Sequence, residues 1–503
     1  MANFSSNNIF PDIFSWIFKN LPQIPQLETN SINLCPSFSS QPSLKLSIIT
    51  NPNNSSFSLS IFADYNLPVP LWTSKKILLL DNKDNNNNDV IPTLLTNFIN
   101  DVLKYCPSYK SPSFLKLPST IYSDQNNLKD IFNFSFLSLT FIVCVYEAPK
   151  DLRRTCLNIL KDEFECTKAR GVSKTLMRFL GSNTEEQWMR CMNLAITNWI
   201  LSEDESRVLV NTLSPLFSYS FSTVGLWKVQ LYCPIMAMTV EKSSGHSPDD
   251  RLMFSLNYHQ LEGVIQMNYR VDVQEKWIEV MVNTDNIRCD VIKLLTDTQM
   301  KRRGAGASEK HFPSRISLQI TPTLQTNVIS ISVSKSTDNP QREFGVEKGI
   351  EAAFDPPTAL GLHISAGETV TTNLKPWKFE QSVYGNSANL NWFLHDYEDG
   401  REVFSSKPSK FALLHPRSWF KNRYSSAHRP FTRQGGVIFA GDEYGERVSW
   451  KVDRGGWGLG FGGNMEWEIK GWIWLTYWPN KCRTLYTETR RLEFREVVSL
   501  TLN

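Results

Sequence analysis

Between Gly435 and Gly471 the chain places 11 of its 24 glycines. Six of its 15 tryptophans, Trp450, Trp457, Trp467, Trp472, Trp474 and Trp478, stand in or just beyond that segment. Glycine lets a backbone turn sharply or approach another closely, and tryptophan offers the largest rigid apolar surface of any side chain. The mixture suits tightly turned antiparallel strands with wide aromatic faces and suits helices badly. From about Leu226 onward the apolar period is two. Ile265, Met267, Tyr269, Val271 and Val273 alternate with Gln266, Asn268, Arg270 and Asp272. Ile316, Leu318 and Ile320 repeat the pattern, as do Ile329, Ile331 and Val333. In the last run Leu492, Phe494, Val498, Leu500 and Leu502 face one way, and Glu496 alone breaks the face. Half-buried strands punctuated by Gly, Pro and Asn predict an antiparallel β-sandwich or barrel over residues 221–503.

One strand in this region changes character along its length. Met465, Trp467, Ile469, Ile473, Leu475 and Tyr477 share a face, while the other face runs Glu466, Glu468, Lys470 and then Trp472, Trp474, Trp478. A strand polar on one face early and apolar on both later enters the interior, or lines a cavity or an interface.

Upstream the pattern differs. Residues 1–125 are rich in Ser, Asn and Pro, with strand-like runs at Leu44–Ile49 and Phe57–Phe62 and a solvated, Asn-rich insert at Asp81–Asp89, so they read as a loosely built α+β domain. Residues 126–220 read as a helical segment. Leu152, Cys156, Ile159, Leu160 and Phe164 recur at helical spacing with Gly171 just past the expected end. Thr184 and Gln187 form a capping box before the stripe Trp188, Met192, Ala195, Trp199, and Ser202–Glu205 forms a second box. The whole is α+β, mostly β.

A chain of 503 residues exceeds what one core usually serves and predicts roughly two to four domains. Its nine cysteines are odd in number, widely spaced and without a CxxC pair, which points to reduced, mostly buried thiols and a cytoplasmic, soluble protein. The N-terminal Ile9, Phe10, Ile13, Phe14, Trp16, Ile17 and Phe18 lack a basic lead and a small-residue cleavage site, and read as a helix docked on its own domain. The longest apolar run, Ile131–Tyr146, falls short of a roughly 20-residue membrane span and reads as a core helix or buried strand.

Signatures of cofactor chemistry are missing from the sequence. There is no GxxxxGK[ST], GxSxG, HExxH or EF-hand string. Glycines at 458, 460 and 463 mimic GxGxxG, but a strand rather than a helix is expected after them, so no dinucleotide site is predicted. The seven histidines are scattered singly, and neither metal nor cofactor is predicted.

Three spots carry chemistry-bearing side chains. His395 and Asp396 open a charged turn through Asp399-Gly400, where a neighbouring carboxylate tunes an imidazole for proton transfer. Asp442-Glu443-Tyr444-Gly445 is a second probable turn, and His363 near Gly367-Glu368 is a third candidate. Between 401 and 433 eight basic residues, among them Arg417, Lys421 and Arg423, interleave with Trp419, Phe420 and Tyr424, a composition that holds an anion while stacking on its apolar part. Lys301–Gly306 reads as an exposed loop.

The stretch from Pro376-Trp377 through 391–420 to Ala440–Gly445 resembles an uncharacterised land-plant protein family of unknown function. The resemblance covers at most the C-terminal half, carries no site residues across, and implies a plant intracellular protein.

Two function classes remain open. In one, an aromatic-lined β-domain pocket binds a hydrophobic or partly anionic small metabolite. Any turnover there would be cofactor-independent isomerisation or cyclisation, with His395 or His363 moving a proton, Asp396 or Glu443 orienting it, and Arg417, Arg423, Trp419, Trp472 and Trp474 binding substrate. In the other, the basic aromatic face of 401–433 docks a protein, a lipid headgroup or, less favoured at a net charge of +3, nucleic acid.

Overall fold

The computed structural model describes residues 10–21, 29–35, 42–51, 56–78, 90–107, 117–122, 124–202, 217–244, 248–306, 309–333, 341–347, 367–373, 377–394, 437–440, 447–453, 464–479 and 486–501. Side chains at half-burying, period-two spacing make most of it sheet. The N-terminal sheet orders β1 (Thr29–Cys35), β2 (Ser43–Asn51), β3 (Ser56–Asp64) and β4 (Val69–Thr73), with β5 (Ile77–Leu78) also pairing β3.

The helices follow: α1 (Ile13–Asn20), α2 (Val90–Leu103), α3 (Gln125–Glu147), α4 (Lys150–Glu165), α5 (Thr167–Leu180) and α6 (Ser182–Ser202). Asp12 caps α1, accepting from the Ser15 amide, and Ile13 and Ile17 are fully buried, as expected of a docked amphipathic helix. By length and composition α3 is apolar enough to cross a membrane, yet 83% of its most apolar window is buried inside the protein. Its Phe132 and Phe136 pack on Phe98 of α2 at 5.1 Å. Two local expectations are corrected. Gly171 does not follow a helix but lies within α5, because α4 ends at Cys166, whose sulfur accepts from the Ala169 amide and starts the next helix. Thr184 sits inside α6 rather than at its cap, since that helix begins at Ser182. The Trp188–Met192–Ala195–Trp199 stripe is buried as expected, whereas Ser202–Glu205 and Asp81–Asp89 extend beyond the described residues.

Two large antiparallel sheets make the C-terminal part. The first orders β12 (Val328–Val333), β18 (Val448–Asp453), β10 (Trp277–Lys293), β9 (His259–Val273), β7 (Leu226–Pro234) and β6 (Ser218–Thr223), with β17 (Val437–Ala440) also on β10. The second orders β15 (Trp377–Tyr384), β16 (Ser387–Leu394), β11 (Lys310–Pro322), β19 (Asn464–Trp478), β20 (Glu488–Thr501) and β8 (Thr239–Ser243). Neither closes on itself, so the arrangement is sandwich-like and not a barrel. A separate ribbon pairs β13 (Gln341–Glu347) with β14 (Gly367–Asn373). Two short helices complete the set: α7 (Asp250–Asn257) and α8 (Asp297–Arg302). The expected loop at Lys301–Gly306 is instead the end of α8 and its turn, with Ala305 buried. The helix forms there because Thr296 and Gln299 make a reciprocal capping box.

Indoles join the two sheets. Trp467 of β19 lies 4.7 Å from Trp450 of β18, edge to face, and 5.8 Å from Trp227 of β7. All three are completely buried. Trp227 Nε1 donates to Ser499 O (3.1 Å) and Trp450 Nε1 to Asn386 O (3.0 Å), so two of these indoles also bond the backbone of the facing sheet. Gly471 is required by its neighbour: a Cβ there would stand 2.0 Å from the ring of Phe494, its partner across β19–β20. Glu496, on the inward face of β20, is 3% exposed and accepts from Ser218 Oγ at 2.6 Å. Burial raises its pKa, and burial lowers that of Lys174 nearby on α5.

Helices α5 and α6 cover the other face of the first sheet. Asn193 Nδ2 donates to Gln260 Oε1 (2.8 Å), Arg190 bridges to Glu262, and Tyr232 donates to Glu185 (2.9 Å). Desolvation pushes the Glu185 carboxyl up to about 7 despite that bond.

Candidate ligand cleft

Residues His363, His395, Asp396, Glu443, Arg417, Arg423 and Trp419 lie outside the described residues, together with the 401–433 basic segment. Trp472 and Trp474 are described. Both stand half-buried on the outward face of β19, and Met465, Trp467, Ile469, Ile473, Leu475 and Tyr477 fill the interior on the opposite face. The face that changes from polar to aromatic does line a cleft, on the outside of the second sheet rather than between the sheets.

That cleft holds about 510 Å³ and is lined by Glu241 and Lys242 of β8, Ser314 and Arg315 of β11, Phe393 of β16, Trp474, Thr476 and Trp478 of β19, and Thr487 and Thr489 beside β8. Arg315 dominates its centre. The register puts Phe393 directly opposite Arg315 on one side and Trp474 on the other. The guanidinium carbon consequently lies 4.8 Å from the Phe393 ring centre and 4.4 Å from that of Trp474. An irregularity between Pro313 and Arg315 adds a residue at Ser314, and such a bulge re-aims the side chain that follows it. Ser314 fixes the distortion by donating to Trp474 O (3.3 Å) and accepting from Thr476 (3.0 Å).

The charges are unbalanced at one point. Glu241 is paired with Arg491 at 2.7 Å and accepts from Trp474 Nε1, which locks the indole. Among the described residues Arg315 meets only the neutral amide of Asn391 (3.3 Å), and none of them offers an acceptor to its buried Nε. No carboxylate pairs with it among the described residues. Stacking on both faces leaves a guanidinium edge that can offer paired N–H donors to a carboxylate, sulfonate or phosphate. Arg315 was not singled out in the sequence, although Pro313 within an otherwise regular strand signals a bulge and Arg315 heads the polar face opposite Ile316.

A second polar group lies between the sheets. The rings of His259 on β9 and His311 on β11 are 4.7 Å apart, and Tyr477 of β19 lies 4.7 Å beyond His311. His259 Nδ1 is bonded to Ser255 O, and His311 Nε2 is buried without an acceptor or donor. Burial lowers both: His259 from 6.5 to about 4, His311 well below its ordinary value with help from His259 and Arg490. An imidazole with a depressed folded pKa is neutral in the fold, so the unfolded chain binds more protons as pH falls from about 6.5 towards 4. Stability should therefore be complete above that window and fall through it, by about 3 kcal/mol for His259 alone. Glu185 acts oppositely, its contribution fading as pH rises through about 7. Comparison of acid-unfolding midpoints isolates the histidine term: His259→Asn should flatten the slope between pH 6.5 and 4, and an unchanged slope would refute the assignment.

Among the described residues no group of three or more His, Cys, Asp or Glu side chains is placed to hold a metal ion. None of the eight described cysteines is in a disulfide, and seven of them are buried.

No protein-family model matches the chain, and no curated protein does. Solved structures that match include Clostridium perfringens delta-toxin (7% identity, 56% of this chain and 99% of that one, TM-score 0.21). The Clostridium perfringens NetB toxin in its membrane-inserted form matches at 10% identity over 55% of this chain and 96% of that one, TM-score 0.21. A chain described as a pore forming protein matches at 7% identity over 57% and 100%, TM-score 0.18. At these scores the likenesses carry no argument about this protein.

Proposed function

We propose that the protein binds a small, largely apolar molecule bearing one anionic group in the cleft between β8, β11, β16, β19 and β20. The observation that carries this reading is the Arg315 guanidinium, stacked between Phe393 and Trp474 and without a carboxylate partner among the described residues. The anion would take the guanidinium edge. The apolar body would lie along Trp474 and Trp478, and Ser314, Thr476 and Thr489 would meet polar substituents. A volume of about 510 Å³ falls in the range usual for small-ligand sites.

Calorimetric titration with planar aromatic carboxylates and with naphthalene-2-sulfonate tests it. Arg315→Gln and Trp474→Ala should each weaken binding roughly tenfold or more, since a hydrogen bond to a charged group contributes about 1.5–3 kcal/mol. Equal binding by wild type and both variants, or no binding by wild type across the panel, would overturn the proposal.

A further inference from the structure

A second concavity lies where α2, α3 and α6 meet α7 and α8, and it shares no lining residue with the Arg315 cleft. It holds about 590 Å³. One wall is Tyr105 stacked on Tyr146, ring centres 5.3 Å apart and planes 15° from parallel. Another is Phe254 against Tyr258 at 4.7 Å. A relay joins the two: Tyr258 donates to Asn198 Oδ1 (3.0 Å), and Asn198 Nδ2 donates to Tyr146 (3.0 Å). Because the Tyr146 oxygen accepts in that relay, its own O–H is left to point elsewhere. Burial raises the pKa of Tyr105, to about 12, and of Tyr146 and Tyr258, so all three phenols remain neutral donors.

The start of α8 adds Thr296, Thr298 and Gln299, the first and last already bonded to each other in the capping box, and Leu194 and Leu295 add apolar area. Lys104 stands at the rim with its charge already met by Asp101, and Arg302 is exposed at the other edge. Lys104 and Tyr105 also line a smaller hollow of about 240 Å³ with Lys75 at its edge, where Trp72 adds a further aromatic face and Asp101 holds its indole N–H at 3.2 Å. The result is two neighbouring hollows that share the Tyr105 ring, with neutral donors and acceptors among the rings of the larger one.

Three ligand chemistries can be weighed against that lining. A cation would face Lys104 and Arg302, which disfavours an aromatic-cage role. An anion would find the exposed Arg302 and Lys75 and, among the described lining residues, no buried unpaired charge. A chain of pyranose rings fits every part: its C–H faces lie on aromatic rings, and its many hydroxyls need neutral partners that both donate and accept, as phenols, amides and threonines do. We infer that the two neighbouring hollows, with Trp72, Tyr105, Tyr146 and Tyr258 along them, form a binding site for a neutral oligosaccharide.

Saturation-transfer NMR on the full chain, with cellohexaose, maltohexaose, xylohexaose, mannohexaose and chitohexaose at millimolar concentration, tests the inference. At least one should bind, with signal concentrated on the ring C–H protons. Tyr105→Leu should weaken it roughly tenfold, and Tyr146→Phe and Thr298→Ala should each weaken it about threefold, the losses following from one stacking face or one hydrogen bond removed. Circular dichroism confirms that each variant is folded; Thr298→Ala, on the exposed side of α8 and outside its capping box, keeps the test open should Tyr105→Leu not fold. Absence of binding by all five saccharides would overturn the site. So would binding that survives all three variants, or that falls with Arg315→Gln and not with Thr298→Ala, which would place the sugar in the other cleft. Failure of the anionic-ligand reading leaves these outcomes untouched, because its probes and variants are different.

Discussion

Replacing Arg490 with methionine is expected to destabilise the protein by about 3–5 kcal/mol, the usual result of leaving one member of a buried ion pair behind. Arg490 and Glu488 are two positions apart on β20 and so point to the same side, where their side chains are only 8% and 6% exposed. The arginine reaches two places: Nε bonds Glu488, and Nη1 donates to Ile235 O at 2.8 Å, tying β20 to the turn after β7. Tyr486 donates to the other carboxylate oxygen. In Arg490→Met the Glu488 charge would stay in a dry site with one donor remaining and the Ile235 carbonyl would lose its partner. Glu488→Gln/Arg490→Met removes both charges and should recover more than half of the loss. Urea midpoints of wild type, both single variants and the double variant measure this. A single-variant cost under about 1 kcal/mol, or a double variant equal to the sum of the singles, would show that the pair is not a closed unit.

Trp467→Ala is the second large expectation, again about 3–5 kcal/mol, from lost burial plus the cavity left between the sheets. The indole is completely buried against Trp450 and Trp227, and its removal would withdraw the contact that both make from the first sheet to the second. Trp467→Phe supplies the contrast. Among the described residues none accepts from the buried Trp467 Nε1, so the smaller ring discards that N–H along with some area. It should cost clearly less than the alanine variant in the same unfolding measurement. Equal losses in the two variants would mean that the indole's shape alone holds the sheets together, and a small loss in Trp467→Ala would mean that the interior there is not packed.

The Trp467 cluster also decides what the glycine- and tryptophan-rich segment is for. Its composition foretells strands with aromatic faces, and β18 and β19 are such strands. It does not foretell that Trp450 and Trp467 would interdigitate as solid core while Trp474 and Trp478, on the same ribbon, would line a cleft outside. The alternation separates the two groups by face, but which face meets another sheet depends on where Trp227 of β7 arrives.

Local chemistry was legible wherever it repeats at short range. The burial of Ile265 and Met267, of Ile316, Leu318 and Ile320, of the Trp188–Trp199 stripe and of Ile13 and Ile17 follows from spacing alone, because side-chain direction has a period of two in strands and 3.6 in helices. Even the oddity of Glu496 was visible as the one acid on an apolar face. The candidate sites were not legible in this way. Ser314 and Trp474 are 160 positions apart, and Arg315 stands between Trp474 and Phe393 only because β11 pairs β19 on one edge and β16 on the other. His259 and His311 belong to different sheets, and the Tyr105–Tyr146–Asn198–Tyr258 hollow draws on four elements. Each residue by itself reads as an ordinary strand or helix position. The sequence by itself therefore settled which residues turn inward and that the chain would be mostly antiparallel sheet with a helical layer, since those follow from neighbours along the backbone. Strand order, register and the bulge at Ser314 were decided by the tertiary structure, since they come from pairing and packing between distant segments, and these alone bring a cation, two rings and a hollow together.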